Sequence, residues 1–161
     1  MRVLLSSVLA LILLAAPTRA DIAPLPPEQS VREAVLAYLE NTNAHSAEGV
    51  AGMFVPGDAA RVLDNGRLVT AGREGVLHVI GAELETTPGL RLEVSGDITV
   101  VLSPQGDAAS ADFSYDHHVT GEDGKEVKVF QGVMSMTLFA GSEGWQIVSV
   151  HSSANLASMA Q

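Results

Sequence analysis

The sequence predicts an α+β domain, with helices first and a long, curved antiparallel sheet after them. Two observations carry this. Apolar residues recur at helical spacing only before residue 85, and from residue 90 onward the chain alternates with period two between Gly-rich turns. No internal repeat or low-complexity stretch suggests a solenoid or a second domain.

The first twenty residues read as an export signal. Arg2 supplies the positive start, residues 3–16 are an almost unbroken apolar run, and Thr18-Arg19-Ala20 ends on a small residue, so cleavage is expected after Ala20. The run is about fourteen residues, short of the ~20 that span a bilayer, although an uncleaved anchor remains the alternative. The expected location is therefore periplasmic or secreted. Residues 21–29, with three prolines, are read as a linker, 30–154 as the domain and 155–161 as a tail.

Within the domain the elements follow in order. A first helix starts near Pro27 or Glu28, because proline suits a first helical turn, and Val31, Ala34, Val35, Tyr38, Leu39 and Thr42 form its apolar stripe. Ser46 is placed to cap a short second helix whose inner side carries Val50, Met53 and Phe54, with Pro56-Gly57-Asp58 as its stop. Asn65-Gly66 marks a tight hairpin between strands over 61–64 and 67–70. A third helix over 72–84 buries Val76, Leu77, Ile80 and Leu84 and turns His78 to solvent. Strands are expected over 90–102, 108–120, 126–139 and 144–153.

Composition narrows the function. There is no cysteine, so disulfides, a thiol nucleophile and thiolate metal sites are excluded. After removal of the signal, about 141 residues carry seven basic and 19 acidic side chains, a net charge near −12. Such a surface repels phosphate backbones and anionic headgroups, so neither nucleic acid nor a membrane surface is an expected partner.

Three phrases resemble the nuclear transport factor 2-like superfamily: "AYLENTNAHSAEGVAGMF", "LDNGRLVTAGREGV", and the closing "G-W-x-I-V-x-x-H-x-S" from Gly144 to Ser153. The groups they are most similar to are the SnoaL-like polyketide cyclases, ketosteroid isomerase and the association domain of calcium/calmodulin-dependent protein kinase II. The resemblance implies a cone-shaped curved antiparallel sheet wrapped around three N-terminal helices, with a pocket between them. It does not transfer an activity, since this fold hosts isomerases, dehydratases, cyclases and pure binding modules. It does imply that Tyr38 matches a phenolic hydrogen-bond donor and that Asp64 lies within about a residue of a general base. The penultimate strand, with Met134, Ser135 and Met136, lacks the acid that completes the isomerase site.

Strand alternation supplies the other candidates. Phe113, Tyr115 and His117 share a face that the resemblance implies is inward, which turns His118 outward. On the closing strand the same rule groups Trp145, Ile147, Ser149 and His151 inward, and Val148 and Val150 outward. The candidate catalytic set is therefore His151, His117, Asp64 and Tyr38. The candidate pocket wall is Phe54, Phe113, Tyr115, Met134, Met136, Trp145 and Ile147. An imidazole beside a carboxylate suits general acid–base chemistry. Each residue also has a plain structural reading: Tyr38 as a core aromatic, Asp64 as a hairpin residue, each histidine as a core or rim side chain. No local zinc spacing is present, and neither metal nor cofactor is expected. Three functions follow: an exported protein binding a small apolar ligand, a lyase or isomerase, or an assembly module. A homodimer through the outer sheet face is expected from Val133, Val148 and Val150.

Overall fold

The computed structural model describes residues 26–154. The expected export signal and C-terminal tail lie outside the described residues, as does most of the linker.

Helix α1 (Pro27–Asn43) takes in three residues assigned above to the linker. Pro27 needs no amide partner and presets the helical φ, while the Ser30 amide already closes on the Pro26 carbonyl at 3.0 Å. The helix buries Val31, Val35, Tyr38, Leu39 and Thr42, the last satisfied by donating to the Tyr38 carbonyl at 2.9 Å. Both of its ends are pinned to the sheet. The Trp145 indole donates to Ser30 Oγ at 2.9 Å, and the Asn43 amide exchanges two hydrogen bonds with the Leu92 backbone, at 2.8 and 2.9 Å. Helix α2 (Ala47–Gly52) is capped by Ser46, whose Oγ accepts from the Gly49 amide at 3.1 Å.

After a short 3-10 turn (Gly57–Ala59), β1 (Arg61–Asp64) and β2 (Arg67–Ala71) form the hairpin. Asn65 and Gly66 both have positive φ, 47° and 78°, as its tight turn requires. Helix α3 (Arg73–Thr86) buries Val76, Ile80 and Leu84, while Leu77, expected on that face, is 38% exposed; His78 is exposed on the outer side, as expected. The single strand expected over 90–102 is two, β3 (Arg91–Val94) and β4 (Thr99–Leu102), which pair with different halves of the same neighbour. That neighbour, β5 (Ala108–Thr120), precedes β6 (Glu126–Gly141) and β7 (Gly144–Ala154).

The open sheet runs β2-β1-β7-β6-β5-β3, with β4 beside β3 on β5. Every pairing among these strands is antiparallel except β1 with β7, which is parallel. Three bulges curve it, leaving Val69, Val129 and Val148 as extra residues against their partner strands. The helices fill the concave side: α1 packs on β3, β4, β5 and β7, and α3 on α2 and β2. This is the α+β cone the sequence predicted.

The bulge at Val148 has the largest consequence. Leu138 pairs with Ile147 but Thr137 pairs with Ser149, so the inward series steps from Ile147 to Val150 and then Ser152. A one-residue slip exchanges the faces of a strand. His151 and Ser149 therefore face outward, opposite Ser135 and Thr137, and Val150 is buried at 2% exposure instead of lying on the outer face.

Candidate functional site

Between the concave sheet and helices α1 and α3 lies a cavity of about 430 Å³. Its floor is buried: Tyr38 from α1, Leu92 from β3, Met134 from β6 and Val150 from β7. Its rim is exposed: Asp64, Asn65 and Val69 from the hairpin, and Glu83 from α3. The cavity thus opens to solvent beside the hairpin, where a closed pocket was expected. A volume of this size falls in the ordinary range for small-molecule sites.

Each polar group has a structural reason for its position. Tyr38 sits on the buried stripe of α1, its ring edge-on to Phe54 with centroids 6.4 Å apart. Tyr115 crosses directly over Gly132, its partner on β6, and stands edge-on to Phe130 at 6.2 Å. His117 pairs with Phe130 and packs against its ring at 4.5 Å, leaving Nε2 buried without a hydrogen-bond partner among the described residues. Asp64 ends β1, where Ser152 Oγ donates to its Oδ1 and Asn65 Nδ2 to its Oδ2, each at 3.0 Å.

The electrostatics follow from burial and from two acids at one mouth. Burial, reinforced by Glu83 and then Tyr115, lifts the Tyr38 phenol well above its ordinary range. Tyr115 is pushed up to about 12 by burial, then by Asp64 and Glu83. Both hydroxyls are protonated donors at neutral pH. Desolvation, and then His118, holds the His117 imidazole below its usual value, so it is neutral there and able to accept a proton. Glu83 keeps an exposed surface, yet partial desolvation first and the Asp64 charge second raise its carboxyl.

A group whose carboxyl is raised in the folded state binds its proton more tightly there than in the unfolded chain. Its contribution to stability is therefore fully present below the ordinary glutamate value and is lost as pH climbs through the raised one. Parent and Glu83→Gln should melt alike at low pH, and the variant should gain relative to the parent as pH rises through the carboxyl range. Paired thermal melts across that range measure the difference and cancel the other acids, several of which shift the opposite way.

A family model for the SnoaL-like domain matches residues 31–157. The chain belongs to that family. The SnoaL-like domain's fold has many solved relatives in the nuclear transport factor 2-like superfamily. One is a nuclear transport factor 2-like protein with a cystatin-like fold from Novosphingobium aromaticivorans, 18% identical, TM-score 0.68, covering 82% of this chain and 86% of that one. A second is a nuclear transport factor 2-like superfamily protein from Salmonella enterica, 18% identical, TM-score 0.69, with 80% and 90% covered. A third is a ketosteroid isomerase-like protein from Erwinia carotovora atroseptica, 18% identical, TM-score 0.64, with 80% and 95% covered. Identities this low speak for the fold alone. No curated protein matches the chain.

In this SnoaL-like domain the residues singled out from sequence divide in two. Tyr38, Asp64, Tyr115, His117 and Met134 line the cavity. Phe54, Phe113, Met136 and Ile147, expected in its wall, are instead buried in the main core, at 0–3% exposure. Phe113, Met136 and Ile147 face inward as alternation requires, and Phe54 lies inward just after α2, but all four sit in the core beside the helices and not at the cavity. Trp145 is likewise off the cavity, partly buried against the start of α1. His151 is on the opposite face because of the Val148 bulge, where its Nε2 accepts from the Gly66 amide at 3.2 Å and lies 3.4 Å from Ser153 Oγ.

Sequence reading missed Glu83, Thr42, Asn65 and Ser152, all of which line the cavity. A signal for Glu83 was present: it lies three residues after Ile80 and seven after Val76, on the flank of the α3 apolar stripe. Ser152 had none, since its inward aspect depends on the bulge.

Proposed function

We propose that this SnoaL-like domain is an exported protein that binds a small, largely apolar molecule between its sheet and helices. The observation that carries the reading is the cavity itself, a largely aliphatic and aromatic chamber with its two carboxylates, Asp64 and Glu83, at one mouth. Export is supported by Arg2, the apolar run over 3–16 and the small residue Ala20. Native mass spectrometry of protein recovered from the periplasm of its own cell tests both points. The expected result is a chain starting at Asp21 that carries an additional small-molecule mass. A chain starting at Met1 in the membrane fraction would overturn export, and ligand-free protein after gentle recovery would count against binding.

A second reading, a lyase or isomerase, is favoured by Tyr38, Asp64 and His117 lining one cavity. Asp64 or neutral His117 would take a proton from carbon while Tyr38 donated to the developing enolate oxygen. Against it stands Met134 on the penultimate strand, which offers no second acidic donor. If turnover is found, Tyr38→Phe should lower kcat by about 10²-fold or more with KM little changed, the pattern of an interaction made in the transition state.

We also propose a homodimer through the convex sheet face, supported by Val133, Phe139 and Val101, which are 48–59% exposed on outward positions. Light scattering at micromolar concentration should give twice the chain mass; a monomer mass removes the proposal.

A further inference from the structure

The cavity has negative charge at its mouth and no positive charge to answer it. Among the described residues, no Lys or Arg lines it, and its imidazole, His117, is neutral at ordinary pH. Asp64 and Glu83 share the rim, close enough that the Asp64 charge raises the Glu83 carboxyl. Neither carboxylate takes part in an ion pair among the described residues, although Arg67 stands opposite Asp64 in the hairpin. Asp64 is served by neutral donors only, Ser152 and Asn65. Elsewhere on the molecule acids behave differently: Glu126 and Asp116 are paired with Arg91 and Lys128 at 2.7 and 2.8 Å.

Behind the carboxylates the wall is aromatic. Tyr38, Tyr115 and Phe130 all line the cavity, and Tyr38 is 95% buried, its relative exposure being 5%. The Tyr38 hydroxyl has no hydrogen-bond partner among the described residues, so the acids are backed by a buried polar group aimed into the same space. Aromatic faces attract cations, the more so when partly desolvated. An anionic ligand would enter against two like charges in a chamber where water screens them poorly. An uncharged ligand can donate a hydrogen bond to a carboxylate but leaves its charge without a counter-charge. Only a cation with an apolar body gains from every part of the wall.

We propose that the cavity binds a hydrophobic amine in its protonated form, the ammonium at Asp64 and Glu83 and the apolar body against Tyr38, Tyr115 and Phe130. This rests on the small-molecule-binding reading and names its ligand class.

Three probes of one shape and different charge test it: phenylbutylamine, phenylbutanol and phenylbutyrate, each titrated calorimetrically into the purified exported chain. The amine should bind more than about tenfold tighter than the alcohol, a difference of about 1.4 kcal/mol. The acid should bind more weakly than either. Added salt should weaken the amine and leave the alcohol nearly unaffected. The double variant Asp64→Asn, Glu83→Gln should bring the amine-to-alcohol ratio towards one. Should that variant not fold, the probe series and salt dependence on the parent chain decide alone. If the alcohol or the acid binds as tightly as the amine, the ligand class is wrong and the binding reading survives. If none of the three binds, the binding reading itself falls, and this proposal with it.

Discussion

Replacing Phe54 by alanine is expected to lower the stability of the domain by about 3–5 kcal/mol, the usual cost of emptying a fully buried phenylalanine site. Phe54 is 0% exposed and lies where three parts of the fold meet. Its ring stands edge-on to Tyr38 of α1. Its neighbours Met53 and Val55 join β7 through the Ile147 backbone, accepting and donating at 2.9 Å, and the Arg73 guanidinium of α3 donates to its carbonyl. These backbone bonds hold the segment in place and prevent collapse into the vacated space. Chemical denaturation measures the loss, and the melting midpoint should fall by roughly 10 °C or more. Phe54→Leu should recover most of it, because volume is largely retained. A loss under about 1 kcal/mol for the alanine variant would mean that the site is not close-packed.

Gly132→Ala should have the second-largest effect, and it reaches the candidate site. Gly132 lies in the middle of β6 with ordinary extended backbone, so alanine meets no conformational penalty there. What excludes a side chain is contact: an added Cβ would fall 2.6–2.7 Å from Cζ, Cε1 and the hydroxyl of Tyr115. Tyr115 is 4% exposed, so its ring cannot move aside without disturbing Phe130 and the cavity wall. Overpacking of this kind costs about 1–3 kcal/mol. Ligand or probe binding should weaken as the phenol leaves its place. A double-mutant cycle isolates the cause: in a Tyr115→Ala background the same Gly132→Ala change should be neutral or stabilising. An equal cost in both backgrounds would sink the explanation.

The α1 stripe placed Tyr38 in the interior correctly, because helical periodicity needs no knowledge of a partner. The Asn65-Gly66 turn was readable for the same reason, since both residues tolerate the positive φ that a tight hairpin imposes. His117 was also oriented correctly, because the bulge on that side of the sheet falls beyond it, between His117 and His118. His151 was not, because a bulge intervenes between Ile147 and the histidine. That bulge is set by how β6 and β7 settle against each other, and the alternation of β7 contains no mark of it.

The sequence by itself determined the α+β class, the order of the helices and sheet, and the buried face of each helix apart from Leu77, all of which arise from local periodicity and turn chemistry. It also carried the three phrases that place the chain in its family. Tertiary structure alone decided which inward residues meet the cavity and which fill the core, since Phe113 and Tyr115 share one face but lie at different depths beneath the helices. It likewise decided the final register of β7 and brought Glu83 to the rim opposite Asp64. Distances across the fold depend on how whole elements pack, and a periodicity read within one element cannot contain them.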